Sequence, residues 1–139
     1  MIKGLKSHRA RLKALQSNAT INLIGKAVFA AAQLIENESA KSITTGAVSG
    51  KQHVASKPGE APNADTHVLD RSHETIKTGP LTAKVQVTAP YAAPLEFGNS
   101  RVAARPFLRP ARDRKTNDAR DLVAKAVNVA LKRAQGDGS

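Results

Sequence analysis

At 139 residues the chain is the size of one ordinary domain, with enough length for one core and little beyond it. It has no cysteine, which excludes a disulfide framework, a thiolate metal site and a cysteine nucleophile; the fold must stand on packing alone, as suits a protein made in a reducing cytoplasm. Lys and Arg number 22 against 11 Asp and Glu, a formal charge of +11 that biases the surface toward polyanions or acidic partners.

That charge sits at the two ends. The first 35 residues carry Lys3, Lys6, Arg9, Arg11, Lys13 and Lys26 and no acid, and Arg101 to Arg133 holds ten bases against Asp113, Asp118 and Asp121. The basic start is followed by no apolar run of signal-peptide length, and nowhere do eighteen apolar residues run together, so a chain that is neither exported nor inserted in a membrane is expected.

From 5 to 40, Leu5, Leu12, Leu15, Ala19, Leu23, Ala27, Ala30 or Ala31, and Leu34 recur at three- and four-residue steps without proline. This spacing predicts a long helix, interrupted or loosened near "SNATIN". At about 1.5 Å per residue the whole would make a rod of roughly 50 Å, longer than a compact domain needs. Residues 42–68 then turn rich in Gly, Ser, Thr and Pro, and predict a polar arm: a loose hairpin over 43–54 turning at Ser49-Gly50, then a loop over 55–67. An arm this long inside a compact domain points to a segment used for binding or ordered against a partner.

Antiparallel strands are expected over about 70–108. In "LTAKVQVTA" Leu81, Ala83, Val85 and Val87 alternate with Thr82, Lys84, Gln86 and Thr88, the mark of a strand with one buried face. "RSHETIKT" reads as its partner through the turn Thr78-Gly79-Pro80, and "YAAPLEF" as a third, edge strand, because Pro94 cannot donate to a ladder. Over 111–134 Ala119, Leu122, Val123, Ala126, Val127, Ala130, Leu131 and Ala134 trace a helical stripe. Thr116 or Asn117 is the expected cap and Gly136 the expected stop, with Pro110 allowing an earlier start and 136–139 a tail. The order predicts a single α+β domain, a long N-terminal and a C-terminal helix packed on a small antiparallel sheet with a protruding arm.

Chemistry is sparse. Asp65, His67, Asp70 and His73 crowd one segment, but without a helix face or turn that spaces them as ligands, and Ser72-His73-Glu74 are strand neighbours that point to opposite faces and cannot relay a proton. Glu60, Glu74 and Glu96 stand apart from one another, and the glycines match no phosphate-binding loop. The expectation is a non-enzyme without cofactor or metal. Nucleic-acid binding stays open through the charge alone, since phosphate contacts by Lys and Arg need no motif.

"PYAAPLEFGNSRVAARPFLRP" gathers Tyr91, Phe97 and Phe107, three of four aromatic residues, and Pro90, Pro94, Pro106 and Pro110, four of seven prolines. The prolines and Gly98-Asn99 divide it into two short extended pieces around a turn, which would bring Glu96 and Arg105 together as an ion pair. Its rings then either fill the core where sheet meets last helix or face a neighbouring subunit.

Here the chain resembles the tail-component family of lambda-like siphophages, the head-to-tail joining or tail-completion proteins. The resemblance rests on "YAAPLEFGNSRVAARPFLRPA", with its Glu-Phe-Gly and Arg-Pro-Phe-Leu-Arg-Pro runs, and on "SKPGEAPNADTHVLDRS" upstream, similar to the family's Ser-x-Pro-Gly-Glu-x-Pro segment leading to Thr-Gly-x-Leu. His67 departs from that pattern, standing where the family has the glycine of a tight turn. What the resemblance implies is a structural virion protein of the tail or neck, made in the host bacterial cytoplasm. It would form a homo-oligomeric ring, a hexamer by preference, that meets neck and tail-tube proteins and contacts genomic DNA non-specifically in the channel. On the same basis Tyr91, Glu96, Phe97, Gly98, Arg105, Pro106, Phe107 and Pro110 shape the subunit or its ring contacts, and Pro58, Gly59, Glu60 and Pro62 belong to the arm.

Overall fold

A computed structural model describes residues 3–45, 55–62, 67–101 and 103–137. Five helices and one hairpin follow in the order α1 (Lys3–Leu15), α2 (Asn18–Thr44), α3 (Val68–Arg71), β1 (His73–Gly79), β2 (Thr82–Val87), α4 (Ala92–Phe97) and α5 (Leu108–Asp137). The α+β class holds, with long helices at both ends and a small antiparallel sheet.

The first helix breaks where "SNATIN" begins. Ser17 leaves helical geometry at ψ 155° and its Oγ accepts from the Thr20 N–H at 3.3 Å, an N-cap for α2, while the Thr20 hydroxyl donates back to the Ala14 carbonyl at 2.8 Å. The second piece runs on to Thr44, so Ile43, expected in a hairpin, is instead buried in the last turn of α2; residues 46–54, the rest of that hairpin with Ser49-Gly50, lie outside the described residues. By length and mean hydropathy α2 is the one helix among the described residues long and apolar enough to cross a membrane. Here it is bonded on two sides. Glu36 accepts from the Thr75 hydroxyl of β1, and Glu38 pairs with Arg114 of α5 at 2.9 Å.

Two strands form the sheet. His73 faces Val87 and Thr75 faces Val85, with an irregularity between Lys77 and Gly79 before the turn at Pro80. Ala83, Val85 and Val87 are half-buried and Thr82, Lys84 and Thr88 exposed, but Gln86, expected on the wet face, is half-buried too, its amide donating to Glu74 across the ladder, and Leu81 lies in the turn and is exposed. The third strand is not formed: Ala92 to Phe97 is the helix α4. Proline at its third position is tolerated because a first-turn N–H has no helical acceptor, and Gly98 ends it at φ 74° after bonding to the Pro94 carbonyl at 2.8 Å.

The last helix is longer than its stripe, Leu108 to Asp137, so Thr116 and Asn117 sit inside it and Gly136 does not stop it. It lies along α2, and α1 packs on it as well. What it buries is alanine: Ala111, Ala126, Ala130 and Ala134 face inward, with Ala31 on α2. Val127 and Leu131 from the expected stripe are exposed, and so are Leu5 and Leu12 of α1, where Ser7, Ala10 and Ala14 are half-buried instead. Small side chains let the helix axes approach closely, and the bulkier neighbours are displaced outward. Among the described residues the cluster with large side chains is Ile43, Leu69, Ala89, Ala92 and Phe107, where α2, α3, the sheet end, α4 and the start of α5 meet.

Candidate functional site: the corner between the sheet and the last helix

The corner begins with α4 and turns at Asn99, whose Oδ1 accepts from the Arg101 N–H at 2.8 Å. The chain then runs back beside α4, where the Arg105 N–H donates to the Leu95 carbonyl at 2.6 Å. That antiparallel return sets Glu96 against the beginning of α5. Its carboxylate accepts from the N–H groups of Phe107 and Leu108 through Oε2, at 2.8 and 3.0 Å, and from Arg109 through Oε1 at 2.8 Å. A helix leaves four N–H groups without intrahelical acceptors at its start. Here three are bonded by Glu96, and the fourth position is Pro110, which has no N–H. The negative charge also lies at the positive end of the helix dipole.

The expected ion pair between Glu96 and Arg105 is therefore not the contact made. Glu96 is committed to the helix, and Arg105 reaches the other motif, its Nε donating to the Ser56 carbonyl at 3.1 Å. Beside it the Gly59 N–H donates to the Ala104 carbonyl at 2.8 Å. Gly59 stands at φ 88°, a left-handed turn that suits glycine, closed by Glu60 N–H to the Lys57 carbonyl and Lys57 N–H to Glu60 Oε2. Pro58 is exposed in this turn and Pro62 is buried beyond it. The described part of the arm thus lies against the corner, and the two segments that carry the family resemblance are bonded to each other. Residues 63–66 and Val102 lie outside the described residues.

His67, in place of the expected glycine, keeps the left-handed conformation, φ 62° and ψ 17°. Histidine is among the few non-glycine types enriched there, and its Nδ1 is 3.2 Å from Asp70 Oδ2. His73 is buried: Nδ1 is 2.9 Å from the Leu69 carbonyl and Nε2 is 2.8 Å from the Ser39 hydroxyl. Because the carbonyl can only accept, Nδ1 donates to Leu69, and Nε2 shares a hydrogen bond with the Ser39 hydroxyl. The ring meets Phe107 edge-on at 5.7 Å between centroids, so His73 and Ser39 build the core around that phenyl. Ser39 has no sequence signal other than its place on the inner face of α2. Among the described residues no three His, Cys, Asp or Glu side chains are arranged to hold a metal.

The three rings of the corner divide by environment. Phe107 is 2% exposed and its Pro106 and Pro110 neighbours are half-buried, Tyr91 is 43% exposed, and Phe97 is 69% exposed with the Arg109 guanidinium 5.9 Å from its ring centre. Phe107 is a core residue; Phe97 faces outward. No family model matches the chain, and neither a search of curated proteins nor one of solved structures finds a match.

Proposed function

We propose that the chain is a structural subunit of a phage head-to-tail interface, acting by assembly into a ring at the tail end or neck that joins tail to head around the DNA channel. The single observation that carries the assembly half of this reading is the mismatch between core and surface. Among the described residues most of the buried apolar positions are alanines, and only Phe107 and Ile43 are large and fully buried, while Leu5, Leu12, Val127, Val129 and Leu131 on the outer helices are exposed. A chain that leaves its bulky aliphatics outside on a strongly cationic surface gains by burying them against neighbours. The phage half rests on the two motifs. Their mutual docking through Arg105 with Ser56 and Gly59 with Ala104 gives a structural reason for them to occur together.

Light scattering of the purified chain, alone and with its tail-tube or neck partner, tests this: a closed oligomer or a defined complex is the expected result. Monomers in both mixtures overturn it. Leu12→Glu with Leu131→Glu should shift the mass to monomer while the circular dichroism spectrum stays helical.

A second reading, a basic nucleic-acid-binding protein, is favoured by Lys6, Arg9, Arg11 and Lys13 exposed on α1 and Arg120, Lys125, Lys132 and Arg133 exposed on α5, two helices that pack together.

A further inference from the structure

Phe97 is the most exposed large apolar side chain of the described residues, and one side of it borders a groove of about 350 Å³. The half-buried members of that groove are Ala32 and Ile35 from α2, Ala83 and Val85 from the outer part of β2, and Leu108 from the first turn of α5. Its charged members are Glu96, Arg109 and Arg112. Both oxygens of Glu96 are engaged by the backbone of α5, so the carboxylate offers little to a ligand. Arg109 lies over Phe97, and Arg112 pairs with its neighbour Asp113 at 3.0 Å with both side chains more than half exposed, a pairing of little strength in water. The groove is thus an apolar floor with two guanidinium groups at its rim, one over Phe97 and one in a solvent-exposed pair with Asp113, beside a carboxylate whose oxygens are already engaged by backbone N–H groups.

We propose that this groove docks an acidic segment of a second protein, which inserts an aliphatic or aromatic side chain beside Phe97 and sets carboxylates on Arg109 and Arg112. The volume is near the low end of the roughly 300–1,000 Å³ of ligand pockets, room for one or two side chains and not for a whole element. Charge complementarity selects the occupant. Another copy of this chain, with 11 acids to 22 bases, offers these arginines few carboxylates, whereas an acidic segment supplies them. Bidentate pairing with carboxylates is what a guanidinium fork is shaped for, and an aromatic anchor with adjacent arginines is the composition of strong interface centres. The proposal goes beyond ring assembly and stands on this surface alone.

The test is fluorescence anisotropy with a labelled peptide in which Leu and Phe are spaced among Glu and Asp, against polyglutamate of equal length and a single-stranded oligonucleotide. The mixed peptide should bind about tenfold or more tightly than polyglutamate, a difference of about 1.4 kcal/mol. Phe97→Ser should abolish that preference without lowering Tm; should Tm fall, Arg109→Gln with Arg112→Gln takes its place, and loss of peptide binding at unchanged Tm is then the expected result. Equal affinity for the two peptides, a preference that survives both variants, or an oligonucleotide bound more tightly than the mixed peptide through Phe97 would overturn the proposal. So would light scattering that finds self-association abolished by Phe97→Ser. The mass of the wild-type oligomer is measured separately, so failure of the ring reading and failure of this one are distinguishable.

Discussion

Three backbone N–H groups converge on the Glu96 carboxylate, and nothing else among the described residues caps α5 at that end. Loss of a helix cap costs about 0.5–2 kcal/mol, and a charged acceptor that serves three donors belongs at the upper end. Glu96→Ala should therefore lower stability by about 2 kcal/mol, and Glu96→Gln, which keeps one acceptor oxygen, by about half as much; urea midpoints at constant m-value read both. Phe107→Ala should cost about 3–5 kcal/mol, since it empties the cluster of Ile43, Leu69 and Ala92 and removes the edge contact to His73. Phe97→Ala, ten residues earlier in the same stretch, should stay within about 0.5 kcal/mol because the ring is exposed. Equal losses for the two phenylalanines in thermal melts would contradict this division. The sequence marked both residues as belonging to a corner. It held no sign of which one faces inward, because that depends on the return of 103–107 beside α4, a contact between segments that no local pattern encodes.

At the scale of elements the same logic applies to Gly25, which is buried in the middle of α2. A Cβ there would sit 2.4 Å from the Pro80 carbonyl oxygen, a backbone atom at the hairpin turn that cannot swing aside. In a free helix Gly→Ala gains about 1 kcal/mol. Here Gly25→Ala should instead destabilise by about 1–3 kcal/mol, as overpacking does, and hydrogen exchange should speed up in β1 and β2 before it does in α5. A Tm raised by the substitution would show that the turn yields. Helix α4 is not legible in the sequence for a related reason: Pro94 argues against a central strand and for an edge strand, yet the first turn of a short helix tolerates it equally, and the Gly98 stop after Phe97 fits either. For α5 the sequence offers Thr116 or Asn117 as a cap and Pro110 for an earlier start, and all of these fall inside the helix, which begins at Leu108. Its cap comes from Glu96, twelve residues before Leu108.

For the whole molecule, the exposed bases of α1 and α5 give the nucleic-acid reading a quantitative form. Contact with about four phosphates predicts a slope of about −3.6 in log affinity against log salt, hence roughly a hundredfold weaker duplex binding between about 50 and about 200 mM. Arg9→Ala with Arg133→Ala should flatten that slope by about two if both side chains touch phosphate, and a slope near zero in the wild type would remove DNA from the account of this surface. Composition and period by themselves determined the α+β class, the two long helices, the break before "SNATIN", the hairpin turning at Pro80 and the cationic ends. Each of these follows from interactions within a few residues: capping hydroxyls, alternation, helical spacing. The docking of 55–62 on the corner, the helix cap supplied by Glu96, the burial of alanines along α5 and the exposure of Phe97 were decided only in three dimensions. They depend on which segments meet, and a carboxylate, an alanine or a phenyl ring is the same residue in the sequence whichever surface it finally faces.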